Sequence, residues 1–284
     1  MSLIVNTPAL APTEPRAKVR RGRIVLLGFG AINRRVASLL RSRQSAAAIV
    51  GVIVRHSGPL PSELIEGAAV IASQSDLIAL APDVILEAAS REAVREWGEA
   101  ALRSARRFVV SSASAFVDDG LLRGLRDTAR RFGSQLVLSP GALAGMDGLS
   151  AAARIGMREV HHRIVKTPRS WGTSIGQDVL PPGARDPVVL FRGSAREAAM
   201  RYPLNANVAV VCALSGIGLD KTIVELVADP SATDNCHEIS ATGDFGSLAI
   251  TLKNRPLHAN PKSSELAALA LVRLAENEAA EFIL

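Results

Sequence analysis

Apolar positions in the first half of the chain come in short, unbroken runs. RIVLL (23–27), IVGVIV (49–54), AVIA (69–72), DVILEAA (83–89), RFVVSS (107–112) and QLVLS (135–139) show no alternation of apolar with polar residues. That is the pattern of strands buried on both faces of a parallel sheet. Between them the spacing becomes helical. AINRRVASLL (31–40) puts Ile32, Val36, Leu39 and Leu40 on one face and Arg34 and Arg35 on the other. REAVREWGEAALRSARR (91–107) and DGLLRGLRDTARRFG (119–133) repeat the amphipathic pattern. Six strands alternating with helices predict an α/β fold with a doubly wound parallel sheet.

After SPGALAGMDG (139–148) the pattern changes. VHHRIVKT (160–167), PVVLFRG (187–193) and TIVELVADP (222–230) read as strands, and SAREAAMRYP and NANVAVVCALSGIG as helices. CHEISATGDFGSLAITLKN (236–254) reads as a hairpin turning at Gly243–Gly246. This predicts a second, α+β domain over 146–261. The closing stretch NPKSSELAALALVRLAENEAAEFI reads as a helix over 262–284 packed back on the first domain, which spans 23–145. Pro261 suits the first turn, with Leu266, Leu269 and Val272 on one face and Leu274 nearby.

Composition narrows the class. Of the formal net charge of +6, the segment up to Arg23 carries +4, from five basic residues against Glu14. The body is nearly balanced, and aromatic residues make up only 4% of the chain. No basic stripe is interleaved with aromatics, so no nucleic-acid partner is expected. Residues 1–22 read as a disordered basic tail that lacks the apolar core of a secretory signal. The longest apolar stretch, 207–219, is too short to span a bilayer. Cys212 and Cys236 form no C-x-x-C and read as reduced thiols of a cytoplasmic protein.

Chemistry starts at LLGFGAINRR (26–35). A strand, a glycine turn and a helix in this order suggest a Rossmann-type dinucleotide loop. Gly28 permits the tight turn, and Gly30 lets the backbone approach a pyrophosphate at the helix N-terminus, where Ala31 and Ile32 follow. Asn33 replaces the third glycine, whose role is close helix–strand packing, so helix packing is expected to suffer more than binding. The second strand ends VIVRHS without an acid to hold the ribose. Arg55 stands there instead, and an arginine suits a 2′-phosphate. The cofactor is therefore NAD or NADP, with a leaning towards NADP or dual use.

Several runs then carry a resemblance. GSAREAAMRYPLNANVAVVCALSGIGLDKTIVELVADPSATDNCHEI (193–239), FGSLAITLKNRPLHANPKSSELAALAL (245–271), SPGALAGMDGLSAAARIG (139–156) and LGFGAINRRVA are similar to the L-aspartate dehydrogenase family. The resemblance covers nearly everything from Arg23 onward. It implies oxidation of L-aspartate with NAD(P) to iminoaspartate, which hydrolyses to oxaloacetate and ammonia, in an enzyme that can feed NAD biosynthesis. The implied substrate is a dicarboxylic amino acid and the implied assembly a homodimer. The family pattern implies a catalytic His237 and cofactor contacts from Ala142 and Asn207. Ser114 replaces a family glycine and is expected to crowd the nicotinamide end. With Asn33, it leaves open a non-catalytic NAD(P)-sensing protein, while the two-domain fold alone leaves open a reductase of a cyclic imine, a semialdehyde or another amino-acid-derived substrate.

The residues support these roles independently. Alternation puts His237 on one strand face with Ile239 and Ala241. A histidine turned inward can hold a tuned pKa and move the amine or water proton. Asn207 opens an apolar helix, where it can cap or hold a carboxamide; Asn205 can cap equally well. Ala142 follows a strand end in a Pro-Gly turn, where such sheets bind ligand. His161 and His162 point to opposite faces and read as structural rather than as ligands of a metal. Lys166, Arg196 and Lys262 are the cations available to a dicarboxylate.

Overall fold

The computed structural model describes residues 22–55, 65–171, 185–203 and 207–283, excepting the side chains of Pro261 and Lys262. The basic tail up to Arg21, Asn205 and the Lys262 side chain lie outside the described residues.

The apolar runs form one parallel sheet. Its strands are β1 (Gly22–Leu27), β2 (Ala47–Ile53), β3 (Ala69–Ile71), β4 (Val84–Glu87), β5 (Arg107–Val110) and β6 (Gln135–Leu138), in the order β3-β2-β1-β4-β5-β6. Alternate side chains of β1 feed different layers. Ile24 and Leu26 enter one core and Val25 and Leu27 the other, which explains the unbroken apolar run. Helices α1 (Ala31–Ser42), α2 (Gln74–Leu80), α3 (Arg91–Ser104) and α4 (Asp119–Phe132) make the crossovers. The chain order reverses between β1 and β4, which opens a crevice at their carboxyl ends.

The second region adds α5 (Met146–Ala152), β7 (Met157–Lys166), α6 (Pro168–Trp171), β8 (Val188–Ser194), α7 (Ala195–Arg201), α8 (Asn207–Ser215), β9 (Ile223–Ala228), β10 (Asn235–Gly243) and β11 (Gly246–Asn254). Its sheet runs β11-β10-β7-β9-β8, with only β7 and β9 parallel. The hairpin turns at Gly243–Gly246, as the glycine spacing predicts. On β10 every second residue from Asn235 to Gly243 is buried.

The closing stretch departs from expectation. Residues 256–257 (β12) and 260–264 (β13) pair as a short antiparallel ladder, so Pro261 lies in a strand. Helix α9 (Glu265–Glu276) starts only after Ser264, whose hydroxyl accepts the Leu266 N–H at 3.1 Å. Its buried face is Ala268, Leu271, Val272 and Ala275, while Leu269 is exposed. Alanines let α9 lie close on α1, an economy invisible to a reading that weights leucines. Arg35–Glu265 and Arg43–Glu276 ion pairs tie the two helices together.

Candidate active site

On the nucleotide side the backbone does the shaping. Gly28 has φ +86°, and a Cβ there would lie 2.6 Å from that of Ala89. Only glycine fits. A Cβ on Gly30 would meet nothing within 4 Å. Helix α1 begins there with no side-chain cap and no acid in its first turn. A helix start without a side-chain cap, here followed by Ala31 and Ile32, is the arrangement that receives a pyrophosphate. From Gly28 and Gly30 a cavity of about 530 Å³ extends to Ile53, Arg55 and Ala72, with Trp97 also in its wall. These residues fit a dinucleotide.

Asn33 does not damage the helix packing. It is fully buried, and its amide donates to the carbonyls of Gly28 at 2.7 Å and Leu27 at 3.2 Å. The missing glycine is thus replaced by a polar clamp between α1 and the end of β1. Hydrogen bonds to the carbonyls at the strand end do what close packing would do.

A second cavity, about 210 Å³, adjoins the start of α1. Ile32, Ala142, Asn207 and His237, far apart in sequence, all line it. Asn207 opens α8, and its Oδ1 accepts the backbone N–H of Ser114 at 3.0 Å. Ser114 itself is buried in the turn after β5 and is not among the lining residues. The expected crowding therefore does not arise; Ser114 anchors Asn207 instead. The carbonyl of Ala142 accepts the Asn254 amide at 2.7 Å, which holds the Pro-Gly turn against β11.

His237 is 2% exposed. Burial, then the neighbouring His162 and Lys166, hold its imidazole well below the usual range, so it is neutral at pH 7. Its Nδ1 lies 3.2 Å from His162 Nε2. His161 and His162 do point opposite ways, and His161 sits half-exposed beside Glu159. His162 is fully buried, and burial depresses its pKa to about 3. A purely structural reading of it misses this contact. No group of three or more His, Cys, Asp or Glu able to hold a metal occurs among the described residues.

Of the three cations, Lys166 lines the cavity. It is 7% exposed, its Nζ is 5.0 Å from the centre of the Trp171 ring, and burial lowers its pKa to about 8. Arg196 is engaged elsewhere. Its guanidinium binds Asp220 at 2.6 Å, the Val117 carbonyl at 2.8 Å and Asp119 at 3.3 Å. Those partners account for an arginine in the first turn of α7.

Sequence reasoning passed over three lining or supporting residues. Asn235 lines the cavity two positions before His237 on the same buried face, so strand alternation alone points to it. Ser112 also lines it. Its N–H and hydroxyl are held at 2.9 and 2.7 Å by Glu87, a fully buried carboxylate at the end of β4. Glu87 also accepts the N–H groups of Ala89 and Ser111. Burial raises its pKa against these hydrogen bonds. A carboxylate closing an otherwise apolar strand was the available signal.

Known proteins match most of the chain. Residues 147–278 match the family model "Aspartate dehydrogenase, C-terminal", and residues 28–139 match "Homoserine dehydrogenase, NAD binding domain". An L-aspartate dehydrogenase from Brucella anthropi is 48% identical over 92% of this chain and 98% of its own length. One from Serratia proteamaculans is 37% identical over 88% and 95%. The solved aspartate dehydrogenase of Thermotoga maritima shares the fold with a TM-score of 0.75, at 23% identity over 93% of this chain and 99% of its own. The chain belongs to the L-aspartate dehydrogenase family.

Proposed function

We propose that the protein oxidises L-aspartate with NAD or NADP to iminoaspartate, which hydrolyses to oxaloacetate and ammonia, and that it also runs in reverse. The observation that carries the reading is the cavity beside the start of α1, whose lining brings together a neutral buried histidine, a buried lysine and two asparagines. When bound, the nicotinamide ring supplies the hydride acceptor. The chain's residues do the rest. Lys166 pairs with a substrate carboxylate in a water-poor pocket, where charge-assisted hydrogen bonds are strong. The amine must be neutral before the Cα–H bond can break. The His237 nitrogen not turned to His162 takes that proton, releases it to solvent, and then, neutral again, takes the proton of the water that adds to the imine. Asn207 supplies its amide N–H₂ to the carboxamide of the nicotinamide, its Oδ1 being held by Ser114. Ala142 leaves room for the flat ring. Arg55, in the wall of the larger cavity, suits a 2′-phosphate and supports use of NADP.

We further propose a nucleotide-binding unit of residues 23–145 joined by the final helix, and a catalytic unit of 146–261. No described helix is long and apolar enough to cross a membrane. Action as a cytoplasmic homodimer that feeds NAD synthesis rests on family membership alone. The test is to mix the protein with oxaloacetate, ammonium and NADH or NADPH in parallel. Oxidation of the nicotinamide that needs both other reactants is expected. Cofactor binding without turnover would sink the aspartate reading.

A further inference from the structure

The site contains a second histidine that the reaction above leaves unused. His162 lies on β7 and His237 on β10, neighbouring antiparallel strands. His162 stands opposite Ile239, and His237 opposite Ile164, so the two histidines form a diagonal pair on the same face. Their rings are 5.4 Å apart, tilted by 47°, with His162 Nε2 at 3.2 Å from His237 Nδ1. Both are buried, and His162 is not among the residues lining the substrate cavity. It can reach substrate only through His237.

We propose that His162 is a positioning residue which accepts the Nδ1–H of His237 and thereby turns the bare Nε2 of His237 towards the substrate. The inference rests on His237 being the acid/base of the proposed reaction. Two proton arrangements satisfy the contact. In one, His162 donates from Nε2, so His237 carries its proton on Nε2 and has no lone pair to offer the cavity. In the other, His237 donates from Nδ1 and its Nε2 is free to take a proton and return it. Only the second lets a neutral imidazole act as a base. Its cost is that His162 Nδ1 then holds a buried proton, and that atom has no hydrogen-bond partner among the described residues. The cavity offsets the cost. Lys166 lines it and acts electrostatically on His237, and a cation in the cavity favours a lone pair over an N–H pointing inwards. The titratable groups that act on His237 are His162 and Lys166, both inward-facing on β7.

The direct test is ¹⁵N NMR of histidine-labelled wild-type protein, reading which ring nitrogen of His237 carries the proton near pH 7. Protonated Nδ1 with bare Nε2 is expected; protonated Nε2 overturns the proposal. The kinetic test compares His162→Leu with His162→Gln. The leucine variant should lose on the order of 10–100-fold in kcat, as for other residues that orient an active group, with the KM for aspartate changed less than about threefold. It should also move the acidic limb of the kcat profile. Glutamine, whose amide oxygen can accept the Nδ1–H, should recover most of kcat. A folded leucine variant with wild-type kcat and pH profile overturns the proposal. If the leucine variant does not fold, the tautomer measurement and the glutamine variant decide. If the wild type oxidises no aspartate, the functional reading falls, and the tautomer still decides for or against His162 as acceptor.

Discussion

The two sides of the cleft are built by opposite means. The nucleotide side is shaped by backbone. Gly28 is held at φ +86° against Ala89, Gly30 leaves space, and the uncapped start of α1 offers bare N–H groups. The catalytic side is shaped by side chains that the second sheet takes out of water. His162 and Lys166 on β7, and Asn235 and His237 on β10, are each under 9% exposed. A backbone site binds a charged group whose form is common to many ligands. A side-chain site tunes protonation, because burial disfavours charge. The difference teaches where a substitution should hurt. On the nucleotide side it should affect affinity and folding together, and on the catalytic side turnover more than folding.

The sharpest break is His237→Ala. It should lower kcat by roughly 10²–10⁴-fold, the usual worth of acid–base help, while NADH or NADPH affinity measured by fluorescence stays within about twofold. Wild-type turnover in this variant would remove the catalytic side from the comparison. Lys166→Met comes next. Losing a charge-assisted bond of about 1.5–3 kcal/mol should raise the KM for aspartate roughly 10–100-fold.

The same lysine gives a pH test. Its folded pKa is about 8, against an ordinary 10.5. Below about 8 the ammonium is charged and holds the carboxylate; above it the charge is lost, so kcat/KM should fall as pH rises through that point. Stability runs the other way. Between about 8 and 10.5 the unfolded chain binds this proton and the native state does not, so wild-type stability gains with rising pH across that window. Lys166→Met should lack that gain and melt higher than wild type at pH 7. A lower melting point would mean that Lys166 is a structural member of the sheet rather than a buried charge kept for substrate.

On the nucleotide side, Gly28→Ala should destabilise by about 1–3 kcal/mol, through its left-handed backbone and the contact with Ala89, and weaken cofactor binding with it. Normal binding would show that the turn can shift without loss. The smallest effect belongs to Asn33→Gly. Restoring the motif's glycine should cost about 1–2 kcal/mol in denaturant unfolding, because it removes the clamp on the Leu27 and Gly28 carbonyls and adds a helical glycine. A more stable glycine variant would mean that the polar clamp is only a tolerated substitute.

What the sequence determined by itself was local. Short, β-branched apolar runs set between amphipathic helices read as strands covered on both faces, so the six-stranded sheet and its helices were legible, as was the hairpin at Gly243–Gly246. The glycine loop was legible because backbone conformation depends on the residue that occupies it. The buried face of β10 was legible from alternation, which put His237 inside. Tertiary structure decided everything that needed two distant segments in one register. The pairing of His237 with Ile164 sets His162 beside the ring, 75 residues away. Asn33 became a clamp because the ends of β1 and its neighbours offered it carbonyls. Arg196 was turned from a substrate cation into a partner of Asp119 and Asp220. The start of α9 moved to Glu265 because residues 260–264 found a strand partner. Side-chain chemistry in a cavity depends on which charges and hydrogen-bonding groups share it, and that is a property of packing, which no single segment carries.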